Sequence, residues 1–170
     1  MTLDRCFWAA FLLGVGVMAA VDEIVFHQIL AWHHFYDRST PAIGLMADGL
    51  LHAGELLALA AGFFLMLDAR RRGSFDRVVG ISGFFVGLGV FQVWDGIIDH
   101  KVLQVHQIRY GVDLLPYDIA WNLSGLVLLG IGVVVGISRH RRAGGRDRVP
   151  RGPRTPPARR AEDRSAPSER

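Results

Sequence analysis

Apolar residues along this chain gather in four long blocks, and the charged residues and histidines inside them crowd towards one end of each block. The blocks are Phe7–Val21 running on to about His34, Ile43–Leu67, Val78–His106, and Ile119–Ile137. Each supplies the ~20 residues that a helix needs to cross ~30 Å of hydrocarbon. Apolar runs of this length closed by charge read as helices, because a lipid-exposed strand would leave its backbone groups unpaired. A soluble bundle would need a polar face on every helix, and Gly54–Leu67 and Leu123–Ile137 have almost none. The pattern predicts an all-α integral membrane fold with four spans, over about 7–34, 43–67, 78–106 and 117–137, forming a domain at 1–137. The first block lacks a strongly basic start and runs unbroken into a polar motif, which marks it as a mature helix and not a cleaved leader.

A repeat lies beneath the pattern. Phe11–His34 and Phe84–Gln107 align at a constant offset of 73, with nine of 24 positions identical, among them Asp22/Asp95, His27/His100 and His33/His106. The second and fourth blocks match more faintly, Asp48 against Asp118 and His52 against Asn122. Two spans return a chain to its starting side, so the halves are parallel two-helix repeats. They predict a four-helix bundle with a pseudo-two-fold axis along the membrane normal. Gly14/Gly16 and Gly87/Gly89 would let helices one and three approach closely.

Charge changes the picture in one place. The net +3 divides into +7 on Ser138–Arg170 and −4 on the rest. The segment 138–170, rich in Arg and Pro, has no apolar periodicity and is expected to be a disordered cytoplasmic tail. Its arginines suit topology and anionic lipid, so the bilayer is the expected partner and nucleic acid is not. With Arg70, Arg71, Arg72 and Arg77 they put both termini in the cytoplasm of a bacterial inner membrane, and the histidine-rich ends of the helices outside. Cys6 is the single cysteine, which excludes intrachain disulfides, zinc fingers, Cys-His proteases and thiol relays.

The polar motifs carry the candidate chemistry. On an α-helical wheel, Asp48, His52 and Glu55 share one face of the second helix. Asp22 and His33 share a direction on the first, with Glu23, His27 and His34 about 100–140° away. Asp95, Asp99 and His106 group together on the third helix, with His100 set apart. A carboxylate at mid-bilayer costs about 3 kcal/mol, so these acids must pair, meet water or hold a cation. Three readings stand side by side. In one, His27, His52, Glu55 and His100 ligate zinc, copper or iron, and Asp22, Asp48, Asp95 and Asp99 orient the imidazoles. His33, His34 and His106 are then outer ligands, or else interfacial residues beside Trp32, Phe35 and Tyr36. In another, His27 and His100 clamp a b-type haem. In the third, the groups are a structural polar core, or a proton path in a small transporter. An enzyme would need an open metal position, with Asp99 or Glu55 as base. No nucleophile motif or phosphate-binding loop is present. So thin a bundle suits a homodimer or a larger membrane partner.

The runs D-E-I-V-F-H-Q-I-L-A-W-H-H, L-H-A-G-E and W-D-G-I-I-D-H-K-V-L-Q-V-H-Q-I-R resemble the bacterial four-helix membrane family known as domain of unknown function 2243. The resemblance runs from about Gly14 to Ile137. The positions that match its pattern are Asp22, His27, Gln28, Trp32, His33, His34, His52, Asp95, Gly96, Asp99, His100, His106 and Arg109. It implies an integral membrane protein and no particular activity. It also implies a small residue where this chain has Glu23, a departure that puts a ligand role for Glu23 in doubt.

Overall fold

The computed structural model describes residues 5–146, so most of the basic tail lies outside the described residues. Its elements are helix α1 (Arg5–Val21), a π-helical segment π1 (Asp22–Ile29), α2 (Pro41–Arg71), α3 (Arg77–Trp94), a second π-helical segment π2 (Asp95–Val102), and α4 (Leu114–Arg146). They form four helical spans long and apolar enough to cross a membrane. Helix α4 runs beyond the apolar block at Ile137 into the first arginines.

The helices pack as a row. Helices α1 and α3 meet along the middle, α2 flanks α1, and α4 flanks α3. Among the described residues α2 meets neither α3 nor α4. The outer faces of α2 and α4 therefore stay uncovered, and they are apolar: Leu50, Leu57 and Phe64 on one, Leu115, Leu123 and Val134 on the other. Such faces are stable against lipid tails and not against water.

Small residues set the spacing. A Cβ on Gly14 would collide with the Phe84 carbonyl, and one on Gly87 with the Phe11 carbonyl, so the two central helices touch backbone to backbone. The other repeated pair acts differently. Gly16 faces Leu59 and the Glu55 carbonyl of α2, while Gly89 faces Gly125 and Leu129 of α4. The expectation that all four glycines join helices one and three therefore holds for Gly14 and Gly87 alone. The other two join each central helix to its flanking partner.

The first and third spans end earlier than their apolar blocks. Both leave helix through a residue in the left-handed region, Ala31 (φ 48°) and Gln104 (φ 51°), which are repeat mates. The exits share hydrogen bonds as well: Leu30 N to Val25 O matches Leu103 N to Ile98 O, and Trp32 N to Phe26 O matches Val105 N to Asp99 O. His33, His34 and His106 thus lie on loops that fold back over the helix ends, and not on helices running to 34 and 106. Asp37 N bonds Val105 O across the two loops. At the opposite end Asp76 caps α3, accepting from the amides of Val78 and Val79, and pairs with Arg139 of α4.

Candidate metal centre

The π-helical segments explain how the motif works. In an α-helix, residues five apart point about 140° from one another. In a π-helix the bond runs from i to i+5, so residues five apart stack on one face. Asp22 and His27 have that spacing, as do Asp95 and His100, and both pairs fall inside the π segments. His27 Nε2 lies 3.6 Å from Asp22 Oδ2, and His100 Nε2 lies 3.3 Å from Asp95 Oδ2. A wheel drawn for an α-helix separates groups that the true backbone unites.

The returning loops add His33 and His106. Their rings stack on the pseudo-two-fold axis, 4.7 Å apart and 5° from parallel. His27 meets His33 edge-on at 4.5 Å, and His100 meets His106 at 4.6 Å. Each axial ring is held by the opposite half: His33 Nδ1 sits 2.9 Å from Ile108 O, and His106 Nδ1 sits 3.0 Å from Phe35 O, again repeat mates. A carbonyl only accepts, so Nδ1 carries the proton in both rings, and the lone pair falls on Nε2. Burial, with His106, His27 and His100 close by, pushes His33 down to about 2, so that its ring is neutral.

The four Nε2 atoms, of His27, His33, His100 and His106, are left buried without hydrogen-bond partners among the described residues, together with Asp22 Oδ2 and Asp95 Oδ2. Unpaired buried polar atoms are costly, and native proteins keep few. Donor atoms of Asp22, His27 and His33 lie within 4.8 Å of one another, and so do those of His33, His100 and His106. His106 Nε2 is also 3.3 Å from Asp95 Oδ1.

The halves differ behind the cluster. His27 Nδ1 meets Glu23 Oε2 at 2.8 Å and Asp48 Oδ1 at 3.3 Å, and these three residues form a further group of converging donors. Asp48 also holds the returning loop, accepting from Phe35 N at 2.7 Å and pairing with His34 Nδ1 at 2.5 Å. The Asp48 hydrogen bond raises His34 above its ordinary value. In the second half the mate of Glu23 is Gly96, where a Cβ would strike Asn122 and Trp121 of α4. His100 Nδ1 accordingly has no hydrogen-bond partner among the described residues. Glu23, whose ligand role the resemblance put in doubt, is buried, meets His27 Nδ1 and accepts from Gln28 Nε2 at 2.7 Å.

Other sequence candidates sit elsewhere. His52 is half exposed and pairs with Glu55 at 2.6 Å on α2. Neither belongs to any of the three converging donor groups, so the four residues His27, His52, Glu55 and His100 are not assembled as one ligand set. His52 instead lines a cavity of about 370 Å³ with Glu23, Ile24, Gln28, Leu45 and Gly49. His34 is partly exposed at the rim and Asp99 is buried on π2, and neither is in those groups. Asp118 pairs with Lys101 at 2.6 Å. Arg109 lies 4.7 Å over the Trp32 ring and donates to the Tyr117 hydroxyl at 2.7 Å, clamping the second loop against the first.

A family model described as "Predicted membrane protein (DUF2243)" matches residues 9–139, both repeats and all of the centre. The chain belongs to this family. Its membership agrees with the resemblance carried by the three motifs. No curated protein matches the chain, and no solved structure does.

Proposed function

We propose that this membrane protein binds divalent transition metal through ligands drawn from His27, His33, His100, His106, Asp22 and Asp95. One observation carries the reading: four imidazole Nε2 atoms and two carboxylate oxygens are buried without hydrogen-bond partners among the described residues, where donors of Asp22, His27 and His33 converge, as do those of His33, His100 and His106. The spacing suits metal ligation. Two ligands at about 2.1 Å from a tetrahedral ion stand about 3.4 Å apart, and the Asp–His pairs here are 3.3–3.6 Å. Those separations are long for hydrogen bonds. Carbonyls and a carboxylate on the Nδ1 side of three rings are the usual support of ligating histidines. Imidazole with carboxylate suits zinc, copper or iron, not magnesium or calcium.

Haem has less support. The stacked rings of His33 and His106 fill the path between His27 and His100, where a porphyrin would need an apolar slot. Arginines at the other end of the bundle argue for cytoplasmic termini in a bacterial inner membrane, which turns the centre towards the outside. The test is elemental mass spectrometry on untagged protein purified in detergent, alongside His33→Ala and His106→Ala. Near-stoichiometric zinc, copper or iron that falls in both variants is expected, without a Soret band. Folded wild type that carries no metal, and takes none up on titration, would refute the reading and leave a structural polar core.

A further inference from the structure

We propose that the centre holds two divalent ions, one on Asp22, His27 and His33 and one on Asp95, His100 and His106, with the first held more tightly. This rests on the metal reading above. A single ion with six such ligands would need every donor within about 4.2 Å of every other, twice a bond of about 2.1 Å. The donors do not gather so closely. The groups whose atoms lie within 4.8 Å of one another hold three residues each, and none contains both His27 and His100, or both Asp22 and Asp95. The six atoms therefore extend beyond the shell of one ion. Two of those groups share His33. With His33 given to the first ion, the second set is joined by Asp95, whose Oδ2 lies 3.3 Å from His100 Nε2 and whose Oδ1 lies 3.3 Å from His106 Nε2. The stacked rings of His33 and His106 mark the boundary.

Charge points the same way. Asp22, Glu23, Asp48 and Asp95 all lie within 3.6 Å of the histidine nitrogens. Asp48 is paired with His34, and the other three carboxylates, ionised, carry more charge than one divalent ion balances. Lys101, a nearby cation, is already engaged by Asp118 at 2.6 Å. Paired ions about 3.5–4 Å apart are a common arrangement when six or more ligands share a site.

The ranking of the two sites follows from the broken repeat. Glu23 and Asp48 fix the tautomer of His27 and make its Nε2 a better ligand, whereas the Nδ1 of its mate His100 has no hydrogen-bond partner among the described residues. Losing such a supporting carboxylate typically costs 10–100-fold in metal affinity. Gly96 cannot be given an equivalent acid, because Asn122 and Trp121 occupy the space.

The experiment is a cobalt(II) titration of chelator-stripped protein in detergent, read by visible absorption and by the metal-to-protein ratio after gel filtration. Two equivalents per chain are expected, the first bound about 10–100-fold more tightly. Glu23→Gln should bring the two affinities together, and His100→Ala should leave one equivalent. Copper(II) EPR on the wild type supplies a readout that needs no variant to fold. A half-field transition from coupled ions at two equivalents supports the pair, and spectra of isolated ions at that loading overturn it. One equivalent on the wild type would overturn the two-ion inference and leave the metal reading standing. No binding would overturn both. Two equivalents whose affinities Glu23→Gln leaves apart would overturn the ranking.

Discussion

Replacing Gly14 with alanine adds one carbon, and the structure states what it meets: the Phe84 carbonyl oxygen, with Leu88 N at 2.9 Å and Phe84 C at 3.0 Å. All are backbone atoms of α3, so no side chain can swing aside. Ordinary contact begins near 3.4 Å. The carbonyl oxygen is the tightest of these contacts, so the central helices must part by about 1 Å or more, and a gap of ~1 Å forfeits about half of each dispersion contact facing it. Overpacking of this kind costs about 1–3 kcal/mol. Alanine also gains about 0.5–1 kcal/mol over glycine within a helix, so the net loss should be about 1 kcal/mol and at most about 2.5 kcal/mol. Gly130→Ala is the matched control, since a Cβ there meets open space, and only the helical gain should remain. Unfolding of both variants in mixed detergent micelles gives the comparison. Because α1 and α3 also carry the two halves of the centre, Gly14→Ala should lower metal retention as well. The reasoning fails if Gly14→Ala proves as stable as Gly130→Ala.

Two further predictions concern the ends of the helices. Asp76→Ala should cost about 1 kcal/mol, as the loss of an N-cap does, and Asp76→Asn should recover most of it; thermal unfolding in detergent measures both. Hydrogen bonds from the Val79 and Val78 amides, with Arg139 adding to them, hold the Asp76 carboxyl below its ordinary value. Its contribution is therefore complete above the unfolded carboxylate value near pH 4 and is lost as pH falls through the lower folded one. An Asp76→Ala deficit that does not shrink on acidification would contradict this. At the opposite end, Ala31 sits at φ 48° where the chain turns out of π1. Ala31→Gly should be tolerated there, whereas Ala31→Val should lose about 1–3 kcal/mol to backbone strain. Equal stabilities for these two variants would show that the turn is not held in the left-handed region.

The four spans were legible in the sequence because transfer into lipid depends on the composition of a ~20-residue block and little on its neighbours. The repeat was legible too, since Asp22/Asp95, His27/His100 and His33/His106 align without a gap. The α-wheel went astray at that point: it set Asp22 apart from His27, because nothing in local propensity announced that both helices widen to π geometry at their C-terminal ends. It also left His33 and His106 at the edge of the site and brought His52 and Glu55 into it. The reversal has a tertiary cause. The loops after Ala31 and Gln104 fold inward because each axial histidine bonds a carbonyl of the other half, a contact 71–75 residues away along the chain. Helix α2 turns His52 outward, since its packing on α1 directs Asp48 and Glu55 inward instead. Composition and periodicity therefore determined the spans, the symmetry and the residue types that carry the chemistry. Which of those residues face one another was decided by backbone geometry and cross-repeat hydrogen bonds, which exist only once the two halves have met.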